Sequence, residues 1–242
     1  ISSAASDVYK RQHYHSSKQS ADELVEYIKS NFGKNSVALS ADLTKEAEVQ
    51  GLVGRANEKL GGPISCLINN ASIFEYDNIW TANRDSWDRH IESNLRSPLV
   101  LTQSFANQVP PAKNDENSEP LAQGLIINLI DQRVKKLTPE FTSYTIAKMG
   151  LWALTQTSAQ ALAPNIRVNA IGPGPTLRGA RQSEEHFESQ RKNTVLGRGS
   201  DPSEIVSAVG YLLDAKSVTG QLICVDGGQH LAWQTPDVQG VE

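Results

Sequence analysis

Hydrophobic and polar residues alternate along the chain with two periods, and the local period predicts the secondary structure. Leu24, Val25 and Ile28 recur at helical spacing, and Gly33 follows at a position that commonly ends a helix. Amphipathic segments of this kind predict helices over residues 21–32, 85–109, 139–162 and 202–213, with a further helix that begins after Thr44 and ends near Gly61. Short apolar runs between them predict strands at residues 37–39, 64–68, 125–130, 166–171 and 222–225.

The order of these elements predicts the fold class. Strands that alternate with helices of this length form a parallel sheet covered on both faces, so we expect an α/β, Rossmann-like doubly wound fold. A chain of 242 residues, 38% of them hydrophobic, suits one such domain, and the regular pattern covers residues 13–233. Two polar segments interrupt it. Residues 110–123 predict an exposed insertion, and residues 172–200 predict a lid over a site.

The two ends of the chain do not share this pattern. Residues 1–12 are small and polar, then charged, and we interpret them as a non-native leader; residues 234–242 predict a loose tail. No glycine-rich turn of the kind that holds a dinucleotide's pyrophosphate is present, so we expect the first strand, that turn and the first helix to be absent. Unpaired backbone groups in a buried place are costly. We therefore expect the chain to fold poorly or to use residues 1–12 as a makeshift strand.

Charge and composition exclude several classes of partner and chemistry. A formal net charge of -4 leaves no basic stripe for nucleic acid or anionic lipid, and the apolar runs are too short to cross a bilayer. Cys66 and Cys224 lie in apolar strand-like runs and predict buried free thiols, which fits a reducing cytoplasm. The histidines are scattered, and neither a Cys-x-x-Cys pair nor a Gly-x-Ser-x-Gly turn occurs. These absences argue against a metal site and a serine hydrolase.

Tyr144 and Lys148 are the first candidates for chemistry. They are four residues apart in a predicted helix, which places both side chains on one face. A free phenol has a pKa of about 10, and a neighbouring cation is one way to make it a proton shuttle near neutral pH. Asp131 stands at the carboxyl end of a predicted strand, thirteen residues (144 − 131) before the tyrosine. Taken alone, the spacing of Tyr144 and Lys148 more often describes an exposed pair without a chemical role.

Several motifs together resemble the short-chain dehydrogenase/reductase family. In chain order they are NNAS at residues 69–72, Asn94, Tyr144 with Lys148, RVNAIGPG at residues 167–174 and VDGG at residues 225–228. The resemblance implies that Tyr144 gives a proton while a nicotinamide gives a hydride. It implies that Lys148 lowers the pKa of the phenol and binds the nicotinamide ribose, and that Asn94 holds a water in a proton relay. A capping or surface role is the alternative for Asn94.

Three features resemble the pteridine-reductase subgroup of that family. Most members carry serine where this chain has Asp131, whereas pteridine reductases carry aspartate, which would contact the pterin and help to protonate its ring. Phe74 matches the aromatic residue that stacks a pterin against the nicotinamide, and a core position is its alternative. The sequence HYHSS at residues 13–17 is similar to the pteridine-reductase sequence, with Ser16 where an arginine is usual.

The same resemblance implies a site for NADP(H). NAD enzymes place an acid at the end of the second strand, whereas His15, Ser16, Ser17 and Lys18 offer hydroxyls and a cation that suit a 2′-phosphate. The resemblance places Asp42 and Leu43 at the adenine, and Pro173, Gly174 and Thr176 at the nicotinamide. It also places five further residues along the cofactor: Asn70, Ala71, Ser72, Tyr144 and Lys148.

Three functions stay open at this point. The first is NADPH-dependent reduction of a dihydropteridine or dihydrofolate-like ring, and the second is reduction of a small ketone, enone or sugar alcohol. The third is an inactive truncated fragment or a dinucleotide-binding scaffold. The resemblance also implies a cytoplasmic homotetramer when complete, without a nucleic-acid or membrane partner. In that tetramer, residues 230–233 would reach towards a neighbour's site.

Overall fold

The computed structural model describes residues 10–179 and 182–233. Residues 1–9 of the expected leader and the expected tail at residues 234–242 lie outside the described residues. The first described strand begins at Lys10, so the last three residues of the expected leader belong to a strand. The expected absence of a first strand, glycine-rich turn and first helix stays a prediction.

Strands and helices alternate as the sequence predicts. The strands are β1 Lys10–Tyr14, β2 Ser36–Ser40, β3 Cys66–Asn69, β4 Lys113–Asn114, β5 Pro120–Leu121, β6 Gly124–Leu129, β7 Ile166–Pro173 and β8 Leu222–Val225. The α-helices are α1 Lys18–Phe32, α2 Glu46–Gln50, α3 Leu52–Leu60, α4 Arg84–Ile91, α5 Ser97–Ala106, α6 Thr142–Ala161, α7 Glu184–Lys192 and α8 Pro202–Asp214. None of the described helices combines the length and apolarity needed to cross a membrane.

The strands form a parallel, doubly wound arrangement. β3, β6, β7 and β8 lie side by side in this order, and β1 pairs with β2 in a separate parallel ladder. Parallel neighbours need long crossovers, which the helices provide. β4 and β5 form a short antiparallel hairpin inside the segment that the sequence predicts as an exposed insertion. The α/β, Rossmann-like single domain is therefore confirmed.

The central strand β6 is buried at every position because helices cover both of its faces. Ile126 packs with Phe105 of α5 and Ala159 of α6, whereas Ile127 packs in a second cluster with Leu212 of α8. Burial of one such side chain stabilises the fold by about 1.5–3 kcal/mol, so a slip of one residue would be strongly unfavourable. Because successive side chains of β6 pack into clusters on opposite faces of the sheet, the register of the strand is fixed. The position of Asp131 after the strand is fixed with it.

One predicted helix is not continuous in the structure. The segment 85–109 forms α4 and α5, joined by a π-helical segment, Glu92–Arg96, instead of one long helix. A π segment has a wider turn than an α-helix and often occurs at functional sites. Asn94 lies within it and is fully buried, so its alternative as a surface residue is also wrong. Hydrophobic periodicity alone does not reveal such a local change of pitch.

Candidate active site

The candidate site lies where neighbouring parallel strands end. Asn69 closes β3, Asp131 follows β6, and Gly174 follows β7, all at the same edge of the sheet. Helix α6 begins beside this edge and carries Tyr144 and Lys148 in its first two turns. Open α/β sheets usually bind ligands at the carboxyl ends of their strands.

Asp131, Tyr144 and Lys148 come together as the sequence predicts. The Tyr144 hydroxyl donates a hydrogen bond of 3.0 Å to Asp131 Oδ2. Lys148 Nζ lies 5.7 Å from the centre of the Tyr144 ring and donates to the Leu129 carbonyl at 2.9 Å. Only 5% of Tyr144 and 2% of Lys148 are exposed. Three titratable groups therefore lie close together with little solvent around them.

Loss of solvent is the main cause of the pKa shifts in this cluster. It raises the pKa of Asp131, although the hydrogen bond from the Arg133 amide and the Arg133 charge act in the opposite direction. It raises the pKa of Tyr144 well above the ordinary 10.0, and the charge of Asp131 adds to this effect. It also lowers the pKa of Lys148 to about 8.

The expectation that Lys148 lowers the pKa of Tyr144 stays a prediction. Burial raises the pKa of the phenol, the charge of Asp131 adds to this effect, and Lys148 donates to a backbone carbonyl. The hydroxyl proton of Tyr144 is thus directed at Asp131.

Asn94 holds the loop that follows β3. Its Oδ1 accepts from the Ile73 amide at 2.9 Å, and its Nδ2 donates to the Ile73 carbonyl at 2.8 Å. The π-helical turn thus fixes the residue immediately before Phe74 by two hydrogen bonds. The role of Asn94 in holding a water stays a prediction, whereas its positioning contact is visible.

Phe74 forms an aromatic surface next to the phenol. Its ring lies edge-on to Tyr144 with centroids 4.7 Å apart, and it stacks on Phe141 at 4.4 Å with an interplanar angle of 11°. Tyr76 contacts the edge of Phe141 at 5.2 Å. Because Phe74 is 49% exposed, its alternative as a core residue is wrong. The sequence prediction did not include Phe141.

Phe141 reaches this position through an uncommon backbone conformation. Its φ of 58° lies in the left-handed region, which a bulky residue rarely adopts and which costs about 1–3 kcal/mol. The Phe141 amide donates to the Asp77 carbonyl at 2.7 Å. The Asp77 carboxylate accepts from the Ser143 amide at 3.1 Å and from the Ser143 hydroxyl. Phe141 is the N-cap residue of α6 and has no side-chain oxygen. Asp77 therefore accepts the hydrogen bonds from the first backbone amides of the helix in its place.

His90 completes this buried network. Its Nδ1 lies 2.7 Å from Ser143 Oγ, and its Nε2 accepts from the Glu75 amide at 3.1 Å. Burial lowers the pKa of His90, and the hydrogen-bond pattern assigns its proton to Nδ1. Ser143 stands between His90 and Asp77, whereas in a nucleophilic triad the histidine stands between the serine and the acid. Ser143 is also fully buried. The network thus joins the Phe74 loop to α6 and has no exposed nucleophile.

The predicted phosphate-binding residues lie at the end of β1. His15, Ser16 and Ser17 are exposed, Ser17 is the N-cap of α1 without a side-chain capping bond, and the first turn of α1 carries no acid. An exposed hydroxyl at an acid-free helix N-terminus fits a phosphate group. Lys18 forms an ion pair of 2.5 Å with Asp22, which already satisfies much of its charge.

Asp42 and Leu43 occupy the turn after β2. Asp42 Oδ1 accepts from the Thr44 hydroxyl at 2.7 Å and from the Thr44 amide at 3.0 Å, and these bonds lower the pKa of Asp42. The Leu43 carbonyl accepts from Ser97 Oγ at 3.1 Å. Both residues are thus held in fixed positions by local contacts and by α5.

The other predicted cofactor residues lie at the edge that carries Tyr144. Asn70, Ala71 and Ser72 are exposed directly after β3, and a hydrogen bond from Ser72 lowers the pKa of Tyr144. Pro173 ends β7, and the Thr176 hydroxyl donates to the Gly174 carbonyl at 3.1 Å. No group of three or more His, Cys, Asp or Glu residues in the described ranges is arranged to hold a metal ion.

Comparison with known proteins agrees with this geometry. Residues 12–230 match the family model described as Enoyl-(Acyl carrier protein) reductase. The chain belongs to the short-chain dehydrogenase/reductase family. The structure titled FolM Alternative dihydrofolate reductase 1 from Brucella suis is 42% identical, with a TM-score of 0.86 over 94% of this chain and 87% of that chain. Its counterpart from Brucella canis is 40% identical, with a TM-score of 0.84 over 95% and 87%. Both structures are complexes with NADP.

A curated relative belongs to a different substrate class. Glucose 1-dehydrogenase 2 from Bacillus subtilis is 29% identical over 225 residues, which cover 90% of this chain and 83% of the relative. Membership of the short-chain dehydrogenase/reductase family therefore establishes an oxidoreductase and leaves the substrate open.

Sequence reasoning missed the residues that support this short-chain reductase site. Phe141 lies three residues before Tyr144, and an aromatic residue at that spacing is its one recognisable signal. Asp77, His90 and Ser143 come from three separate segments and form no local motif. Their side chains meet only because the loop after β3 packs against α4 and α6.

Proposed function

We propose that this short-chain reductase reduces a pterin ring, a dihydropteridine or a dihydrofolate-like compound, with NADPH. The observation that carries the proposal is the 3.0 Å hydrogen bond from the Tyr144 hydroxyl to Asp131, beside the half-exposed ring of Phe74. The similarity to two proteins titled alternative dihydrofolate reductase supports this substrate class.

Reduction of a ring C=N bond adds a hydride to carbon and a proton to nitrogen. NADPH supplies the hydride when it is bound. Burial and the charge of Asp131 favour the protonated phenol of Tyr144. Tyr144 would give its proton to the ring nitrogen, and Asp131 would bind the polar edge of the ring and help to pass a proton taken up from solvent.

The aromatic surface explains why a flat heterocycle suits this site. Phe74 presents a half-exposed ring next to Tyr144, and planar rings stack on such surfaces. Asn94 fixes the backbone of Ile73, so the position of this surface does not depend on the substrate. A small aliphatic ketone would leave most of the ring without a contact.

The residues present fit NADP(H). Ser16 and Ser17 at the acid-free start of α1 would hold the 2′-phosphate, with His15 beside them. Asp42 and Leu43 would contact the adenine, and Lys148 would bind the nicotinamide ribose together with Tyr144. Asn70, Ala71, Ser72, Pro173, Gly174 and Thr176 would line the rest of the cofactor.

The deciding experiment compares substrates and variants under identical conditions. We expect NADPH oxidation with 7,8-dihydrobiopterin, and a fall in kcat/KM of about 100-fold in Asp131→Ser, since one acid–base group is worth about that much or more. Phe74→Ala should raise KM, and Phe32→Ala, an exposed phenylalanine on α1, should not. Activity on small ketones without any activity on dihydropterins would overturn the proposal.

The second candidate is reduction of a small ketone, enone or sugar alcohol, which the similarity to Glucose 1-dehydrogenase 2 favours. It predicts that Phe74→Ala leaves KM unchanged. An inactive fragment, the third possibility, predicts no NADPH binding by this chain. We further propose that residues 13–233 form the enzyme domain and that the complete enzyme is a homotetramer, which mass measurement in solution would test.

A further inference from the structure

Arg133 stands at the mouth of the candidate site. It belongs to the 3₁₀-helical turn Gln132–Lys135, and its amide donates to Asp131 Oδ1 at 2.8 Å. Its guanidinium carbon lies 5.1 Å from the centre of the Phe141 ring. The side chain therefore lies over Phe141, the ring that stacks on Phe74, and the backbone of Arg133 contacts Asp131.

The guanidinium of Arg133 takes part in none of the ion pairs of the described residues, although its charge acts on the nearby Asp131. Its Nη1 donates to Thr138 Oγ1 at 2.5 Å, whereas its Nε is buried without a hydrogen-bond partner. Arginine carries five N–H donors and keeps its charge at any physiological pH. Arg89, Arg96, Arg191 and Arg198 each pair with a carboxylate, whereas Arg55 and Arg167 donate to backbone carbonyls. A guanidinium with an unsatisfied donor beside a ligand site is suited to bind an anion.

We propose that Arg133 binds a carboxylate on the tail of the substrate while the substrate's ring lies against Phe74. The inference rests on the proposed function and narrows it to anionic, tail-bearing pterins such as dihydrofolate. A neutral dihydropterin without a charged tail would lose this contact. The fork of N–H groups on Arg133 matches the two oxygens of a carboxylate, which a point charge such as lysine matches less well.

A structural role is the competing explanation. A guanidinium over an aromatic ring stabilises the ring by itself, and Arg133 could serve Phe141 in that way alone. Lys135 offers a matched control because it lies in the same 3₁₀ turn and places its Nζ 5.8 Å from the Trp152 ring. Its contact is with a different aromatic residue, away from Phe74.

The test measures binding as well as turnover. Equilibrium binding of folate and of biopterin to the NADPH-loaded protein is compared for wild type, Arg133→Met, Arg133→Lys and Lys135→Met. We expect Arg133→Met to weaken folate binding about tenfold and to change biopterin binding less than about twofold, where tenfold corresponds to 1.4 kcal/mol. Arg133→Lys should retain part of the preference, and Lys135→Met should retain all of it. Steady-state KM values for the two dihydro compounds should follow the same order.

The outcomes separate this inference from the proposed function. Equal weakening of both ligands in Arg133→Met, or no weakening of either, overturns the role of Arg133. Arginine-dependent binding of folate without any reduction supports the role of Arg133 and overturns the reductase proposal. If Arg133→Met does not fold, Arg133→Lys decides: it keeps the charge and shortens the fork, so an unchanged preference for folate over biopterin would overturn the carboxylate contact.

Discussion

The two ends of the candidate site differ in how far their side chains are buried. At the Tyr144 end, titratable side chains are buried and contact one another, as Tyr144 and Asp131 do. At the α1 end, His15, Ser16 and Ser17 are exposed and adjacent in sequence. Proton transfer requires desolvation to move pKa values, whereas a phosphate can be bound at a solvated helix N-terminus. Changes at the buried end should therefore have much larger effects than changes at the exposed end.

Removal of the Tyr144 hydroxyl should give the largest effect. We expect Tyr144→Phe to lower kcat about 10²–10⁴-fold, because the proton donor is lost while the ring remains. Affinity for NADPH, measured by fluorescence titration, should change little. Tyr211→Phe on the exposed face of α8 is the control and should keep full activity. Normal turnover in Tyr144→Phe would mean that the buried end does not carry the chemistry.

Asp77→Asn should have the second-largest effect. We expect it to lower the stability of the fold and to disturb the position of Phe141 in the aromatic surface. Asparagine keeps only one acceptor oxygen, so at least one of the two Ser143 bonds is lost, and a buried donor left unpaired costs about 1–3 kcal/mol. At about 2 kcal/mol, Tm would fall by about 4–8 °C in a domain of this size. The same change at exposed Asp85 should leave Tm unaltered. A variant with unchanged Tm and KM would remove Asp77 from the support of Phe141.

His90 should make stability depend on pH. Its pKa is lowered in the folded state, so between that value and the ordinary 6.5 the unfolded chain binds the proton first. The stabilisation is complete above pH 6.5 and declines as pH falls towards the folded pKa. Denaturation at about pH 8 and about pH 5 should show a smaller difference for His90→Gln than for wild type. His186→Gln, at an exposed position, should behave like wild type.

The smallest effect is expected at Ser17. An acid at this N-cap would repel a 2′-phosphate, so Ser17→Asp should weaken NADPH binding about threefold at low salt and less at high salt. Ser30→Asp introduces the same charge near the other end of α1 and should have no effect on affinity. Equal weakening by both variants would show that only the net charge matters and that the phosphate does not bind at Ser17.

The sequence predicted those parts of the site that depend on local spacing. Tyr144 and Lys148 share a helical face because they are four residues apart, and Asp131 lies at the sheet edge because an apolar strand ends before it. The hydrophobic pattern also predicted the parallel sheet, since strands buried on both faces are nearly continuous apolar runs. These features follow from periodicity, which is a property of the chain alone.

The sequence could not predict the direction of the pKa shift at Tyr144. That direction depends first on how completely the phenol is buried and then on the charge beside it, and the structure shows the phenol donating to Asp131 while Lys148 donates to Leu129. The sequence likewise did not predict the left-handed conformation of Phe141 or the π-helical pitch of the segment that carries Asn94. Each depends on contacts with residues distant in sequence.

By itself, the sequence determined the fold class, the family and the identity of the groups that meet at the end of β6. Tertiary structure decided how those groups act on one another: which are buried, which ring is exposed, and which cation forms no ion pair. The physical reason is that secondary structure follows from nearest neighbours along the chain, whereas desolvation and hydrogen bonding depend on every group that is close in space.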